Sequence, residues 1–162
     1  MPMEAIVAVY SDWGIGIDGT QPVVVKADRA HFIELTRGAA VIVGRKTLAD
    51  FPGGRPLKGR NNIVITRQNI EIEGAEVAHS TEEALALAGK YPRTLVLGGA
   101  SVFKQFMPWI DKIHVTKIDL APESDSFFEN LDASGQWRMS DEENWLEEDG
   151  LRYCFVTYER VS

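Results

Sequence analysis

The sequence predicts an α/β protein with a doubly wound, mostly parallel central sheet, helices on both faces and an antiparallel C-terminal edge strand. Three observations predict this class. Apolar runs alternate along the chain with helix-like segments. The central runs are continuously apolar, which is typical of strands that are covered on both faces. The last run, 151–160, has no helix after it, so it can pair antiparallel at an edge.

Each element of this class can be located from its own pattern. Apolar, β-branched runs predict strands at 4–10, 39–44, 61–66, 75–79 and 94–99. Helix-like segments, most of them closed by glycine or proline, are predicted at 28–38, 45–51, 80–89 and 101–107. The third of these helices begins with a capping box formed by Ser80 and Glu83. More strictly alternating runs at 112–120 and 151–160 predict antiparallel strands with one exposed face.

Length and composition predict a single domain spanning residues 1–162, whose 44% hydrophobic content is enough for a core. The net charge of −7 argues against nucleic acid as a partner. No apolar run approaches the ~20 residues that cross a bilayer, and the first residues do not resemble a signal peptide. With a single cysteine, Cys154, an internal disulfide is excluded, so we expect a cytoplasmic protein without membrane contact. The three histidines are scattered, and no metal site is predicted.

The glycine-rich segment GIGIDG, at 14–19, matches the dinucleotide-binding pattern G-x-G-x-x-G and follows a predicted strand. That pattern requires a helix to open at its glycines, whereas Pro22 and three valines follow shortly here. We therefore predict a mobile loop that can close over a ligand, and not the phosphate turn of a Rossmann fold.

Two strand-to-helix turns are candidate phosphate sites, because ligands of such sheets bind beyond the carboxyl ends of the strands. In VIVGRKT, Arg45 and Lys46 stand at a predicted helix start, where backbone N–H groups also favour anions. In VLGGAS, Gly98 and Gly99 allow a ligand to approach the backbone closely. Together the two turns could hold a diphosphate.

A third strand of the predicted sheet, NNIVIT, ends at Thr66 and Arg67, which could reach a further phosphate. An acidic chain with such local cations suggests small anionic ligands. The alternative is that each cation is a solvated surface charge, and the sequence leaves both interpretations open.

Asp28 stands where a run of valines turns into a helix. On that helix Asp28, Phe32 and Leu35 share one face, and the two apolar side chains predict that it points inward. A partly buried carboxylate needs a cationic or multi-donor partner, which a ligand with an amidine-like pair of N–H groups would supply. Alternatively, Asp28 is the N-cap of the helix. The pattern does not decide between the two.

The chain resembles the dihydrofolate reductase family, of the bacterial chromosomal, phage or plasmid type, over nearly its whole length. The matching segments, in order, are AIVAVYSDWGIG, KADRAHF, VIVGRKT, GRPLKGRNNIVITRQ, LVLGGASVFKQF, HVTKID, SDSFF and YCFVTYER. The resemblance implies a dihydrofolate reductase-like fold and the reduction of 7,8-dihydrofolate by NADPH, with hydride transfer to C6 and a proton at N5. It also implies dihydrofolate and antifolates as small-molecule ligands of a monomer.

The resemblance assigns substrate contacts residue by residue. Asp28 falls on the acid that binds the pterin 2-amino group and N3, and Thr116 falls on the threonine that supports it. These two are the implied catalytic residues. Arg60 matches the arginine that binds the α-carboxylate of the glutamate tail. The implied substrate-binding residues are Ile6, Val7, Asp28, Phe32, Phe51, Leu57, Arg60, Leu97 and Thr116.

The resemblance assigns the cofactor contacts in the same way. Thr66 and Arg67 fall where the adenosine 2′-phosphate is held, which favours NADPH over NADH. Gly98 and Gly99 match a glycine pair joined by a cis peptide. The implied cofactor-binding residues are Ala8, Ile15, Gly16, Gly44, Arg45, Lys46, Thr47, Thr66, Arg67, Gly98, Gly99, Ala100, Ser101, Val102 and Phe103.

Three positions depart from the family pattern. Val23 replaces a tryptophan after the loop proline, and Gln21 replaces a hydrophobic residue before it, so proton delivery and loop closure are expected to differ. Ser101 replaces an arginine, which leaves more of the 2′-phosphate to Arg67 and Lys46. Two rival interpretations stay open: a related reductase acting on another pterin or on a deaminated pyrimidine, and a nucleotide-binding module without chemistry.

Overall fold

A computed structural model of the chain describes residues 3–18 and 20–161. The strands are β1 (Met3–Tyr10), β2 (Gly14–Gly16), β3 (Ala40–Gly44), β4 (Asn61–Ile65), β5 (Ala75–Ala78), β6 (Thr94–Gly98), β7 (Lys112–Ile118), β8 (Ser126–Phe127), β9 (Trp137–Glu142), β10 (Leu146–Glu148) and β11 (Leu151–Arg160). The α-helices are α1 (Lys26–Thr36), α2 (Arg45–Ala49), α3 (Thr81–Ala88) and α4 (Ala100–Phe106). None of the helices in the described ranges is long and apolar enough to cross a membrane.

The main sheet runs in the order β10-β11-β7-β1-β6-β3-β4-β5, and β9 also pairs with β11. Along this order, each pair of neighbouring strands between β7 and β5 is parallel. By contrast, β11 is antiparallel to β7, β9 and β10. The predicted class, a mostly parallel sheet with an antiparallel C-terminal strand, is therefore confirmed. β9 and β10 extend the sheet beyond β11 and were not predicted, because both strands are short and largely exposed.

Helices cover both faces of the sheet, as predicted. On one face, Val7 of β1 belongs to the same buried cluster as Phe106 of α4 and Ala84 of α3. On the other face, Ile6 packs with Leu35 of α1, and a separate cluster joins α2 to β3 and β4. Alternate residues of β1 thus bury apolar side chains on opposite faces, and each fully buried large side chain contributes roughly 1.5–3 kcal/mol.

Element boundaries agree with the sequence analysis to within a few residues. The strand at 151–160 begins and ends as predicted, and Ser80 is confirmed as the N-cap of α3, although Glu83 bonds back to the residue before the cap. The Glu83 N–H donates to Ser80 Oγ at 3.1 Å, and the His79 N–H donates to Glu83 Oε2 at 3.1 Å. By contrast, α1 begins at Lys26, two residues earlier than predicted, although Val25 offers no side-chain cap.

The glycine-rich segment does not open a helix. Gly14 and Gly16 lie in β2, which pairs with β8, and an isolated bridge joins Ile17 to Thr20. A Cβ on Gly14 would clash with the Ser124 side chain, so close packing favours glycine there. Gly19 lies outside the described residues. The prediction that this segment is not the phosphate turn of a Rossmann fold is confirmed, but its first residues form a short strand and not a loop, and its mobility stays a prediction.

Candidate active site

The carboxyl ends of the parallel strands open onto a cleft of about 1040 Å³. β1 pairs with β6 only as far as Ala5 and Val96, and beyond that point residues of both strands line the cleft instead. From β1 the chain moves to β3 on one side, and from β6 it returns to β7 on the other. The cleft therefore lies at the switch point of the doubly wound sheet, which is where such sheets bind their ligands.

Most of the site residues expected from the sequence line this cleft. They are Ile6, Val7, Ala8, Ile15, Gly16, Asp28, Phe32, Gly44, Arg45, Lys46, Thr47, Phe51, Thr66, Arg67, Leu97, Gly98, Gly99, Ala100, Ser101, Val102 and Phe103. Three expected residues are not part of its lining. Thr116 is buried behind Asp28, Leu57 lines a second pocket, and the Arg60 side chain donates to the carbonyls of Ile33 and Lys58.

A buried threonine donates a hydrogen bond to the Asp28 carboxylate. It lies in the first turn of α1, and the Thr116 hydroxyl, on β7 and only 1% exposed, donates to Asp28 Oδ1 at 2.5 Å. The N-cap of the helix is Val25, so the alternative that Asp28 is itself the cap is wrong. No described residue donates a hydrogen bond to Asp28 Oδ2. One oxygen is thus engaged by the protein, and the other is left for a ligand.

The surroundings of Asp28 disfavour its charged form. Burial raises the pKa of the Asp28 carboxyl above its usual value, and the Thr116 hydrogen bond and the nearby His31 partly offset that rise. His31 stacks on Phe155 with ring centroids 4.0 Å apart, and burial lowers its own pKa. A half-buried acid with a raised pKa in a cleft is typical of a functional group, because a structural acid would be paired.

The other end of the cleft carries cations without acidic partners. Arg45 and Lys46 begin α2, and Arg67 follows β4. Within residues 3–18 and 20–161, none of these three cations forms an ion pair. Unpaired cations that share a cleft fit a ligand with several phosphates, since each phosphate oxygen accepts a charge-assisted hydrogen bond.

The two glycine turns are packed against each other. A Cβ on Gly44 would stand 3.0 Å from Val102 of α4, and a Cβ on Gly99 would stand 3.3 Å from Thr47 of α2. Gly98 and Gly99 are joined by a cis peptide, and Gly98 has a φ of +132°. Side chains at these glycines would fill the space between the two turns, so their absence keeps the backbone accessible to a ligand.

Further residues line the cleft that the sequence analysis did not assign to it. They are Thr20, Gln21, Asp50, Ile65, His79, Ser80, Thr81, Glu82, Gln105 and Ser126. The rule that ligands bind beyond strand ends, applied to β5, could have found His79 and Ser80. Gln21 donates through Nε2 to the Ala8 carbonyl at 3.0 Å, a contact that no sequence pattern indicates.

A switch-point cleft with cations and glycine turns at one end, and a half-engaged carboxylate at the other, is typical of dinucleotide-dependent oxidoreductases. The sequence profile of the dihydrofolate reductase family matches residues 2–160, so the chain belongs to that family. Its activity is accordingly the NADPH-dependent reduction of dihydrofolate. The resemblance noted in the sequence, with the activity and cofactor it implied, is confirmed.

Individual dihydrofolate reductases are similar to this chain over nearly its full length. The chain is 38% identical over 162 residues to the dihydrofolate reductase of Neisseria meningitidis serogroup B, with 99% of each chain covered. It is 36% identical to that of Haemophilus influenzae over 150 residues, which cover 89% of this chain and 92% of the other. The structure of the Enterococcus faecalis dihydrofolate reductase, complexed with NADP(H) and RAB-propyl, superposes with a TM-score of 0.90 at 32% identity, covering 99% and 97% of the two chains.

Proposed function

We propose that Asp28 binds the pterin of 7,8-dihydrofolate and that the product is 5,6,7,8-tetrahydrofolate, which supports one-carbon and thymidylate metabolism. The observation that carries this proposal is the half-engaged carboxylate, with Oδ1 bonded to Thr116 and no protein donor on Oδ2. A carboxylate is an acceptor only, so its open positions match the N–H groups at the 2-amino group and N3 of a pterin. Burial strengthens such a pair of bonds.

Apolar residues beside Asp28 would hold the flat rings of the substrate. Ile6 and Phe32 pack in one cluster with Leu97, and Leu97 also packs with Phe51. All four line the cleft. The wall they form is suited to the pterin and benzoyl groups, because most ligand pockets combine apolar walls with a few oriented polar groups.

The residues at the other end of the cleft fit the cofactor. Arg45, Lys46 and Thr47 would bind the diphosphate at the turn after β3, and Thr66 and Arg67 would bind the 2′-phosphate after β4. The space that a Cβ would fill at the glycine turns supports this assignment. NADPH, when bound, supplies the hydride that reduces C6 of the pterin. The protein contributes placement of the two ligands in one cleft.

Asp28 would act on the proton without carrying it to the substrate. It fixes the pterin by its 2-amino group and N3, and its negative charge favours protonation of the ring at N5. Water is the proximate donor of that proton. Thr116 holds Asp28 in place through a bond to Oδ1.

An activity assay tests the proposal against both rivals. NADPH absorbance is followed with dihydrofolate, with other pterins or deaminated pyrimidines, and with no substrate. We expect rapid oxidation with dihydrofolate alone. Oxidation only with another heterocycle would favour the related reductase, and binding of NADPH without oxidation would favour the nucleotide-binding module.

Arg67→Ala should reduce the preference for NADPH over NADH. Arg67 is exposed in the cleft and has no acidic partner among the described residues, so its removal should raise the KM for NADPH by roughly ten- to a hundred-fold, the size of one charge-assisted contact. The KM for NADH should stay within about two-fold. Arg55→Ala is the matched control, since Arg55 is an exposed arginine outside the cleft. An unchanged preference removes Arg67 from the 2′-phosphate site.

Arg60→Ala should weaken dihydrofolate binding and leave NADPH binding unchanged. The Arg60 Nε donates to Thr36 Oγ1 at 3.0 Å and Nη2 donates to the Ile33 carbonyl at 2.7 Å, so the guanidinium has a defined orientation beside α1. We expect the KM for dihydrofolate to rise roughly ten-fold, as for one charged hydrogen bond. A pterin without the glutamate tail should bind both proteins equally. Equal losses for both ligands would reject the assignment.

We infer further that the chain acts as a single-domain monomer of residues 1–162 in the cytoplasm, and that antifolates compete with dihydrofolate at Asp28. The Enterococcus faecalis relative, complexed with NADP(H) and RAB-propyl, supports the inference about inhibitors. Most of the residues proposed to bind substrate and cofactor line one cleft of a single chain, which supports a monomer that holds the whole site. Light scattering at working concentrations tests the monomer, and competition binding tests the inhibitors.

A further inference from the structure

The helix that carries Asp28 has no cap of its own. Its N-cap residue, Val25, is extended, is 2% exposed and makes no side-chain hydrogen bond to the first turn. The first N–H groups of a helix lack partners within the helix, and without external acceptors the first turn frays. Because Asp28 lies in that first turn, the order of the turn determines where its carboxylate stands.

A distant carboxylate supplies the missing cap. The Lys26 N–H donates to Glu148 Oε2 at 2.7 Å, and the Ala27 N–H donates to Glu148 Oε1 at 3.2 Å. Both oxygens of one side chain thus engage the first two N–H groups of α1. Glu148 is half-buried, whereas the residue before it, Glu147, is exposed, and its side chain makes no hydrogen bond among the described residues.

The hairpin that bears Glu148 is tightly turned. Glu148 pairs with Leu151, and only Asp149 and Gly150 lie between the two strands. Both turn residues have positive φ, +52° and +82°, as the favoured two-residue hairpin turn requires. The position of Glu148 at the start of α1 is therefore set by a short, ordered connection and not by a long loop.

We propose that Glu148 is a positioning residue for Asp28: it caps α1 from β10 and so holds the acid where it binds the pterin. This inference rests on the proposed function of Asp28. Two side chains then fix the first turn: Glu148 accepts hydrogen bonds from its N–H groups, and Thr116 donates one to the Asp28 side chain. The Asp28 N–H itself donates to the Val25 carbonyl at 3.1 Å, and this bond closes the first turn of α1.

Glu148 also brings a second negative charge to the helix end that carries Asp28. That charge favours the N–H groups at the start of the helix, so removing it should weaken the cap even where an acceptor oxygen remains. The other titratable groups that act on this region are His31 on α1, which interacts with Asp28, and His114 and Glu143, which interact with His31. None of these is changed by a substitution at Glu148.

The test compares Glu148→Ala with Glu147→Ala, the adjacent exposed glutamate. The dissociation constants for dihydrofolate and for NADPH, and the thermal midpoint, are measured for each. We expect Glu148→Ala to weaken dihydrofolate about five-fold, the size of one lost cap, with NADPH binding unchanged. Glu147→Ala should change neither. Equal weakening of both ligands, or no difference between the two variants, overturns the inference.

Glu148→Gln provides a second readout, including the case in which Glu148→Ala does not fold. It keeps an acceptor for one N–H and removes the charge, so dihydrofolate binding should weaken roughly two- to three-fold relative to Glu147→Gln, less than in Glu148→Ala, with NADPH binding unchanged. Equal dihydrofolate binding by the two glutamine variants contradicts the inference. Asp28→Asn is measured beside them: if it binds dihydrofolate as the wild type does, the proposed function of Asp28 fails. If Asp28→Asn weakens dihydrofolate binding but the Glu148 variants bind it as the wild type does, only the inference about Glu148 fails.

Discussion

Asp28→Asn should lower the rate of hydride transfer at neutral pH by roughly a hundred-fold or more, while NADPH binding stays unchanged. The amide keeps the shape of the side chain and an acceptor for Thr116, but it loses the negative charge. It also turns an N–H group toward the pterin, where the substrate itself offers donors. The chemical step is measured by stopped-flow across the pH range, so that product release does not mask the loss.

The matched control is Asp50→Asn. Asp50 also lines the cleft, but it is exposed, and its Oδ2 accepts a hydrogen bond from the Thr20 hydroxyl at 3.4 Å. We expect that control to stay within about three-fold of the wild type. Should Asp28→Asn also remain within a few-fold, the carboxylate has no part in the chemistry.

The same substitution should stabilise the fold at neutral pH. Burial raises the pKa of Asp28, so the folded protein binds a proton there more readily than the unfolded chain does. Its ionised carboxylate therefore costs stability once the pH exceeds the ordinary pKa of an aspartate. Denaturant unfolding should show a higher free energy of unfolding for Asp28→Asn than for the wild type at pH 7. That difference should disappear below the pKa that aspartate has in the unfolded chain. The ionised carboxylate of Asp28 is thus needed for hydride transfer but lowers the free energy of unfolding.

The fold was predictable where the pattern is local, and the failures have a common cause. Continuous apolar runs located β1, β3, β4 and β6 to within a few residues, because strands covered on both faces have little choice of composition. The start of α1 was misplaced because its cap, Glu148, stands about 120 residues further along the chain. No window of sequence around Val25 contains that information.

The site was predictable in part for the same reason. The strand-end rule and the glycine turns predicted, without any relative, candidate phosphate-binding residues that the structure places in one cleft. The environment of Asp28 could not be resolved from its helix alone, because an N-cap and an inward-facing acid share one local pattern. Thr116 decides between them, and its position beside Asp28 depends on β7 pairing with β1. Only the family resemblance supplied that long-range fact from sequence.

The largest expected effect on stability lies at the opposite end of β1 from the cleft. Glu4 is 12% exposed; Arg93 Nε donates to its Oε2 at 2.8 Å, and His114 Nε2 lies 2.6 Å from its Oε1. Arg93 also donates through Nη1 to the Leu35 carbonyl at 2.7 Å, which ties α1 to the sheet. Burial alone would raise the pKa of Glu4, but the bonds from His114 and Arg93 outweigh it and lower the pKa to about 2.

Glu4→Gln should therefore lower the free energy of unfolding at pH 7 by about 3 kcal/mol, from ~1.4 kcal/mol per unit of pKa shift. Because the folded pKa is depressed, the carboxylate stabilises the fold above the unfolded value of 4.5, and that contribution is lost as the pH falls toward about 2. The difference between variant and wild type in urea unfolding should accordingly narrow between pH 5 and pH 3.

The control for this prediction is Glu34→Gln, which breaks an exposed pair with Arg37 at 3.5 Å. An exposed i,i+3 pair contributes at most about 0.5 kcal/mol, so that variant should scarcely differ from the wild type at any pH. Glu4 lies at the start of β1, and the cleft opens at its far end, so dihydrofolate binding should survive in both folded variants. If Glu4→Gln costs no more than Glu34→Gln, or if its cost is the same at pH 3 as at pH 7, the Glu4–Arg93–His114 cluster does not stabilise the fold by charge, and burial of the side chain is its whole role.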